Sequence, residues 1–166
     1  MSTRANIVVT ESHTWDNETY TDYLYFYRHS DGYPDGALPL LKKALEGLKS
    51  NHLRDNISQF AGWLIVLGAI EYANIPECKI EIHELGFPKY DDNLASVKFN
   101  EDKFSGWKVG SIEPTTALHG DIEWLYVIDL NKKEIKYMEV GYGATEKSES
   151  DEELIKDVMR NGKTLS

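Results

Sequence analysis

The chain has a single cysteine, Cys78. No disulfide can form within it, so the fold draws no support from oxidation. Basic residues are also scarce: 18 Lys and Arg stand against 28 Asp and Glu, a formal net charge of −10. Proteins that hold nucleic acid over an extended surface displace counterions with runs of Lys and Arg, and no such run exists here. A local basic pocket is not excluded by that argument. Long apolar runs are missing too. The most apolar stretch, Phe60 to Ile70, is far shorter than the roughly 20 residues that cross a bilayer. Residues 1–6, Met-Ser-Thr-Arg-Ala-Asn, lack the apolar core of a signal peptide. A cytoplasmic location without membrane contact is therefore the expectation. Several chemical signatures are absent as well: a Gly-rich phosphate loop followed by Lys-Ser/Thr, paired-cysteine zinc spacing, and a Gly-x-Ser-x-Gly elbow. Cys78 and His83 alone do not make a thiol nucleophile.

What is present is an ordinary globular composition, 41% apolar and 28% charged over 166 residues. That is enough chain for one core. Ala5–Thr10 is short, apolar and β-branched, which predicts a buried strand. Glu11–Thr19 is polar and reads as a loop. Asp22–His29 alternates, with Tyr23, Tyr25 and Tyr27 on one face and Leu24, Phe26 and Arg28 on the other. A hairpin of these two strands is expected. Leu38, Leu41, Leu45 and Leu48 recur at helical spacing, with Pro39 in the tolerated first turn. A second helix is predicted from a cap at Asn56, with Gln59 as its capping-box partner. Its Phe60–Ile70 stretch is apolar on nearly every side, which predicts the centre of the core.

Beyond the helices the pattern weakens. Residues 74–106 yield only a short edge strand over Cys78–His83. So long an irregular stretch either hides short elements or is a functional excursion. Strands are then predicted over Trp107–Ile112, Ile122–Leu130 and Glu134–Val140, the last two joined as a hairpin. The expected fold is α+β: a mainly antiparallel sheet of about five strands with two central helices packed on one face. Residues 1–144 form the domain. Residues 145–166 are acid-rich and read as a mobile or docking tail, helical around Asp151–Met159.

Two short segments could carry chemistry. In Arg28-His29-Ser30-Asp31-Gly32-Tyr33-Pro34, Arg28 offers a fork for phosphate or carboxylate. His29 can exchange a proton near neutrality, Asp31 can accept a hydrogen bond, and Tyr33 can stack on a base. Turn chemistry by itself accounts for Asp31, Gly32 and Pro34, but not for Arg28 and His29. The second segment is His119-Gly120-Asp121. With His29-Ser30-Asp31 it makes two His-x-Asp triplets, able to form a divalent-metal site or to supply acid–base pairs for phosphodiester chemistry if they converge. Pairing of the first two strands would also bring Arg4 near Arg28. The aromatic set that includes Trp107, Trp124, Tyr126 and Tyr137 reads as core packing. The Tyr23–Tyr25–Tyr27 row is the exception. If the helices cover the Leu24–Phe26 face, that row is exposed or lies at an interface, including one between copies of the chain.

Residues 1–7 (Met-Ser-Thr-Arg-Ala-Asn-Ile) and 27–34 (Tyr-Arg-His-Ser-Asp-Gly-Tyr-Pro) together resemble a group of small, mostly uncharacterised proteins common in bacteriophages and prophages. Those begin with a similar Thr-Arg-x-Asn-Ile stretch and carry a His-x-Asp-Gly-Tyr loop. The resemblance covers about the first fifth of the chain. Ser30 stands where many of the group carry tryptophan, and the group supplies no catalytic residues or cofactor to transfer. It implies an accessory protein acting in a host cytoplasm, including against host defence.

Three functions follow as expectations. The first is sequestration of a small anionic, nucleotide-like ligand by Arg4, Arg28, His29, Asp31, Tyr33, His119 and Asp121. The second is inhibition of a host defence protein by direct binding or nucleic-acid mimicry through the acidic surface. The third is a metal-dependent phosphodiesterase or nuclease built on the two triplets.

Overall fold

The computed structural model describes residues 3–74 and 110–165. The strand read over Cys78–His83 and residues 107–109 of the strand read over Trp107–Ile112 lie outside them. Among the described residues there are six strands and four helices. Strands β1 (Ala5–Trp15) and β2 (Glu18–Arg28) form a hairpin, followed by helices α1 (Pro34–Lys49) and α2 (Ile57–Asn74). Then come β3 (Glu113–Thr115), β4 (Trp124–Asp129), β5 (Glu134–Glu139), a short α3 (Ala144–Lys147), α4 (Asp151–Asn161) and β6 (Lys163–Leu165). The sheet order is β3-β2-β1-β4-β5-β6. Only β1 and β4 are parallel. Joining parallel neighbours needs a crossover, and α1 and α2 lie in that connection.

The architecture is the α+β arrangement expected, with a mainly antiparallel sheet of six strands rather than five. Residues 110–112 precede β3 and are not strand. The hairpin is longer than predicted, because Glu11–Thr19 is not a loop. Asp16 and Asn17 form its two-residue turn, with φ of 52° and 64°. Left-handed dihedrals at both central positions match the twist of the flanking strands, and Asp and Asn tolerate them.

One face of the sheet meets the first two helices. Ile7, Val9, Phe26, Tyr126 and Ile128 pack there against Leu41, Leu45 and Leu48 of α1 and Phe60 and Leu64 of α2. Asn56 caps α2 as read, accepting from the Gln59 amide at 3.2 Å. The Gln59 side chain does not complete a capping box; its Oε1 accepts from Arg54 at 3.3 Å. Nor is α2 the centre of the core: Phe60 and Leu64 are fully buried, but Trp63 is 43% exposed.

The opposite face carries the main correction. Val8, Tyr27, Leu125 and Val127 are covered by Leu154, Ile155 and Val158 of α4. The acid-rich C-terminal segment is therefore part of the domain and not a mobile tail. Three of its acids, Asp151, Glu152 and Glu153, fall in the first turn, where they complement the helix dipole. Ser150 caps the helix by accepting from the Glu153 amide. The Tyr23–Tyr25–Tyr27 row is accordingly not an open stripe. Tyr27 is buried, and Tyr23 and Tyr25 pack at the margin of this second core.

Candidate functional site

The Arg28–Pro34 segment is held from several sides. Arg28 is buried, 4% exposed, and its guanidinium is fully engaged. Nη1 pairs with Glu71 Oε1 at 2.5 Å and reaches Ser111 Oγ at 3.4 Å. Nε and Nη2 donate to the carbonyls of Asp31 and Gly36, each at 3.1 Å. The Tyr126 hydroxyl donates to the Gly32 carbonyl at 2.7 Å, and the Gly32 amide donates to the Thr3 carbonyl at 2.8 Å. A Cβ on Gly32 would collide with the Thr3 carbonyl and with Ala5, so only glycine fits. Arg28 thus acts as the clamp of this loop. Asp31 is exposed, in the left-handed region at φ 53°. Tyr33 precedes α1 and is 42% exposed.

Strand alternation puts the remaining candidates on the other side of the sheet, and there they converge. Tyr27 is the hub. Its hydroxyl lies 3.2 Å from His29 Nδ1 and donates to Asp121 Oδ2 at 3.4 Å. The His119 ring stacks on the Tyr27 ring, with centroids 3.8 Å apart and planes 11° from parallel. His119 Nε2 is 3.1 Å from Thr115 Oγ1. Arg4 Nε faces Asp121 Oδ2 at 3.2 Å. Burial pushes the Tyr27 hydroxyl up to about 12; the Asp121 charge adds to the rise and Arg4 opposes it.

Asn6 positions the loop that brings His119 and Asp121 here. It is fully buried in the apolar Ala5–Val9 stretch of β1. Its Nδ2 donates to the Phe26 carbonyl and its Oδ1 accepts from the His119 amide, both at 2.8 Å. From the far side, Asp151 Oδ2 accepts from the Leu118 amide at 3.0 Å. Sequence reasoning passed over Asn6, Thr115 and the hub role of Tyr27. Asn6 had a usable signal, since a buried amide must find partners.

The pair Arg4–Asp121 is incompletely satisfied. Arg4 Nε and Asp121 Oδ1 are both shut off from solvent and neither has a hydrogen-bond partner, although each side chain as a whole is about a third exposed. The close approach of Nε to Oδ2 is an ion pair without hydrogen-bond geometry. Each such atom costs about 1–3 kcal/mol relative to a satisfied one. Of the sequence candidates, then, Arg4, His29, His119 and Asp121 come together. Arg28 is used internally, and Asp31 and Tyr33 stay on the surface of the clamped loop. Among the described residues no three His, Cys, Asp or Glu side chains are placed to hold a metal.

The tyrosine shift has a consequence for stability. Unfolded tyrosine ionises near pH 10, whereas folded Tyr27 and Tyr23 ionise near 12. Their contribution is fully present below pH 10 and is lost as pH rises toward 12. Denaturant unfolding of Tyr27→Phe at about pH 9 and about pH 11 should show a smaller loss across that window than the wild type.

Comparison with models of known families, with curated proteins and with solved structures found no match.

Proposed function

We propose that this chain is a binding protein that sequesters a small anionic, nucleotide-like ligand at the cluster of Arg4, Tyr27, His29, His119 and Asp121. The supporting observation is the Arg4–Asp121 ion pair beside two imidazoles, with each of its side chains about a third open to solvent. A guanidinium and imidazoles call for an acceptor-rich anion such as phosphate. The partly exposed Asp121 carboxylate calls for a donor, such as a ribose hydroxyl or an exocyclic amine. Nucleotides carry both within one molecule. Relative to the expectation from sequence, Arg28 leaves the contact set and becomes the residue that fixes the adjoining loop.

Thermal unfolding with mononucleotides, cyclic dinucleotides and ADP-ribose-type compounds tests this. At about a hundredfold its Kd a ligand adds about 2.7 kcal/mol, which raises Tm by roughly 5–10 °C in a domain of this size. Arg4→Ala is expected to abolish the shift, and Asp121→Asn to reduce it, with the basal Tm little changed. A wild type that no compound stabilises, or a shift that survives Arg4→Ala, would remove this reading.

A further inference from the structure

The hairpin of β1 and β2 runs past the rest of the sheet. β4 pairs with β1 only over Ala5–Thr10, and β3 pairs with β2 only over Tyr25–Tyr27. Asn131 fastens the base of the projecting part, accepting from the Ser12 amide at 2.7 Å and donating to its carbonyl at 3.0 Å. Beyond that point the two strands pair with each other through Trp15 and Glu18 and close on the Asp16–Asn17 turn.

A two-stranded ribbon is marginal by itself, and this one is stiffened by cross-strand side chains. Ser12 and Thr21 hydroxyls meet at 3.0 Å, and His13 Nε2 lies 3.2 Å from Asp22. Register then gives the ribbon two unlike faces. Ser12, Thr14, Thr19 and Thr21 share one; His13, Trp15, Glu18, Tyr20 and Asp22 share the other. On that second face Trp15 is 77% exposed and Tyr20 50%. The segment from Glu11 to Asp22 carries four carboxylates and no Lys or Arg.

We propose that this arm is a docking surface for an arginine- or lysine-bearing segment of a partner protein, separate from the ligand cluster. Exposed aromatic rings attract guanidinium and ammonium groups through their faces, and Arg stacks on them by its plane. Glu18 and Asp22, flanking Tyr20, neutralise the same charge. Rigid aromatic side chains at the tip of a projecting element are the kind of anchor that dominates interfaces. Charge disfavours a second copy as the occupant, because two arms of like charge on chains of net charge −10 repel.

The test uses the intact protein and a fluorescent oligo-arginine peptide, read by anisotropy at moderate salt. Trp15→Ala leaves the net charge unchanged and is expected to weaken binding about fivefold or more. Glu18→Gln should weaken it as well. Glu46→Gln and Glu149→Gln remove the same charge elsewhere and should change it by less than about twofold. Peptide that fails to bind the wild type, or binds Trp15→Ala equally well, overturns the proposal. So do remote glutamate variants that weaken binding as much as Glu18→Gln, since the attraction would then belong to the whole acidic surface. A concentration-dependent dimer lost in Trp15→Ala would make the occupant a second copy and overturn it too. The unfolding midpoint of each variant confirms that this exposed side chain is not required for folding.

Discussion

Arg28→Ala is expected to lower the unfolding free energy by about 3–5 kcal/mol and Tm by roughly 10 °C. The guanidinium is shielded from water, and its removal leaves the Glu71 carboxylate without its ion partner. It also leaves the carbonyls of Asp31 and Gly36 without their donor. Arg28→Lys should recover only part of the loss, because one ammonium cannot span acceptors that a planar fork reaches from three nitrogens. Arg28→Met combined with Glu71→Leu should be more stable than Arg28→Ala alone, since no uncompensated charge remains. Denaturant unfolding of the three variants checks this order. A Tm within about 2 °C of wild type for Arg28→Ala would mean that the clamp carries little of the stability. The result also bears on ligand assays: Arg28→Ala loosens the loop beside His29, so a ligand effect seen with it would not locate the site, whereas Arg4→Ala would.

The parts of the fold that were legible in the sequence are those where one physical signal dominates. Leu38, Leu41, Leu45 and Leu48 mark the stripe of α1 by period alone; the last three are in the core, and Leu38 packs against it partly buried. Asn56 is a cap because its side chain has no better use at that position. The β4–β5 hairpin follows from the dense apolar run of β4 and the Ile135–Tyr137 alternation of β5 on either side of a polar break at Asn131–Lys133. The projecting ribbon was hidden because one face is Ser and Thr and the other mixes Trp15 and Tyr20 with His and acids, which gives no apolar period to read. The second core was hidden for a different reason. Ile7, Val8 and Val9 form an unbroken apolar run, and such a run means that both sheet faces are covered. The cover comes from more than a hundred residues later, in a helix whose acidic first turn masks the three apolar residues behind it.

The candidate site shows the same limit. The His-x-Asp triplets suggested four side chains acting together, but backbone alternation turns His29 to the side of Tyr27 and Arg28 to the side of α2, where it meets Glu71. The loop before β4 then delivers His119 and Asp121 to Tyr27, which His29 also contacts, and not to Asp31. Convergence depended on the strand order and on the Asn6 bridge, neither of which local spacing encodes.

Deleting residues 150–166 is expected to abolish cooperative folding. Leu154, Ile155 and Val158 are 6%, 0% and 0% exposed. Burying each side chain contributes about 1.5–3 kcal/mol. Their sum is comparable to the whole stability of a typical domain, about 5–15 kcal/mol. The deletion also exposes Val8, Leu125 and Val127 on the sheet and removes β6 from its edge. Near-UV circular dichroism should flatten and a hydrophobic dye should bind. An unchanged Tm would mean that α4 is dispensable and that the second core does not hold the sheet. Ile155→Ala keeps the chain folded and should cost about 2–5 kcal/mol, separating the packing contribution from gross truncation. Asp151→Asn isolates a third effect. It weakens the bond to the Leu118 amide that steadies the loop carrying His119 and Asp121. A small stability loss combined with a disproportionate fall in the ligand-induced Tm shift would tie the C-terminal helix to the site as well as to the core.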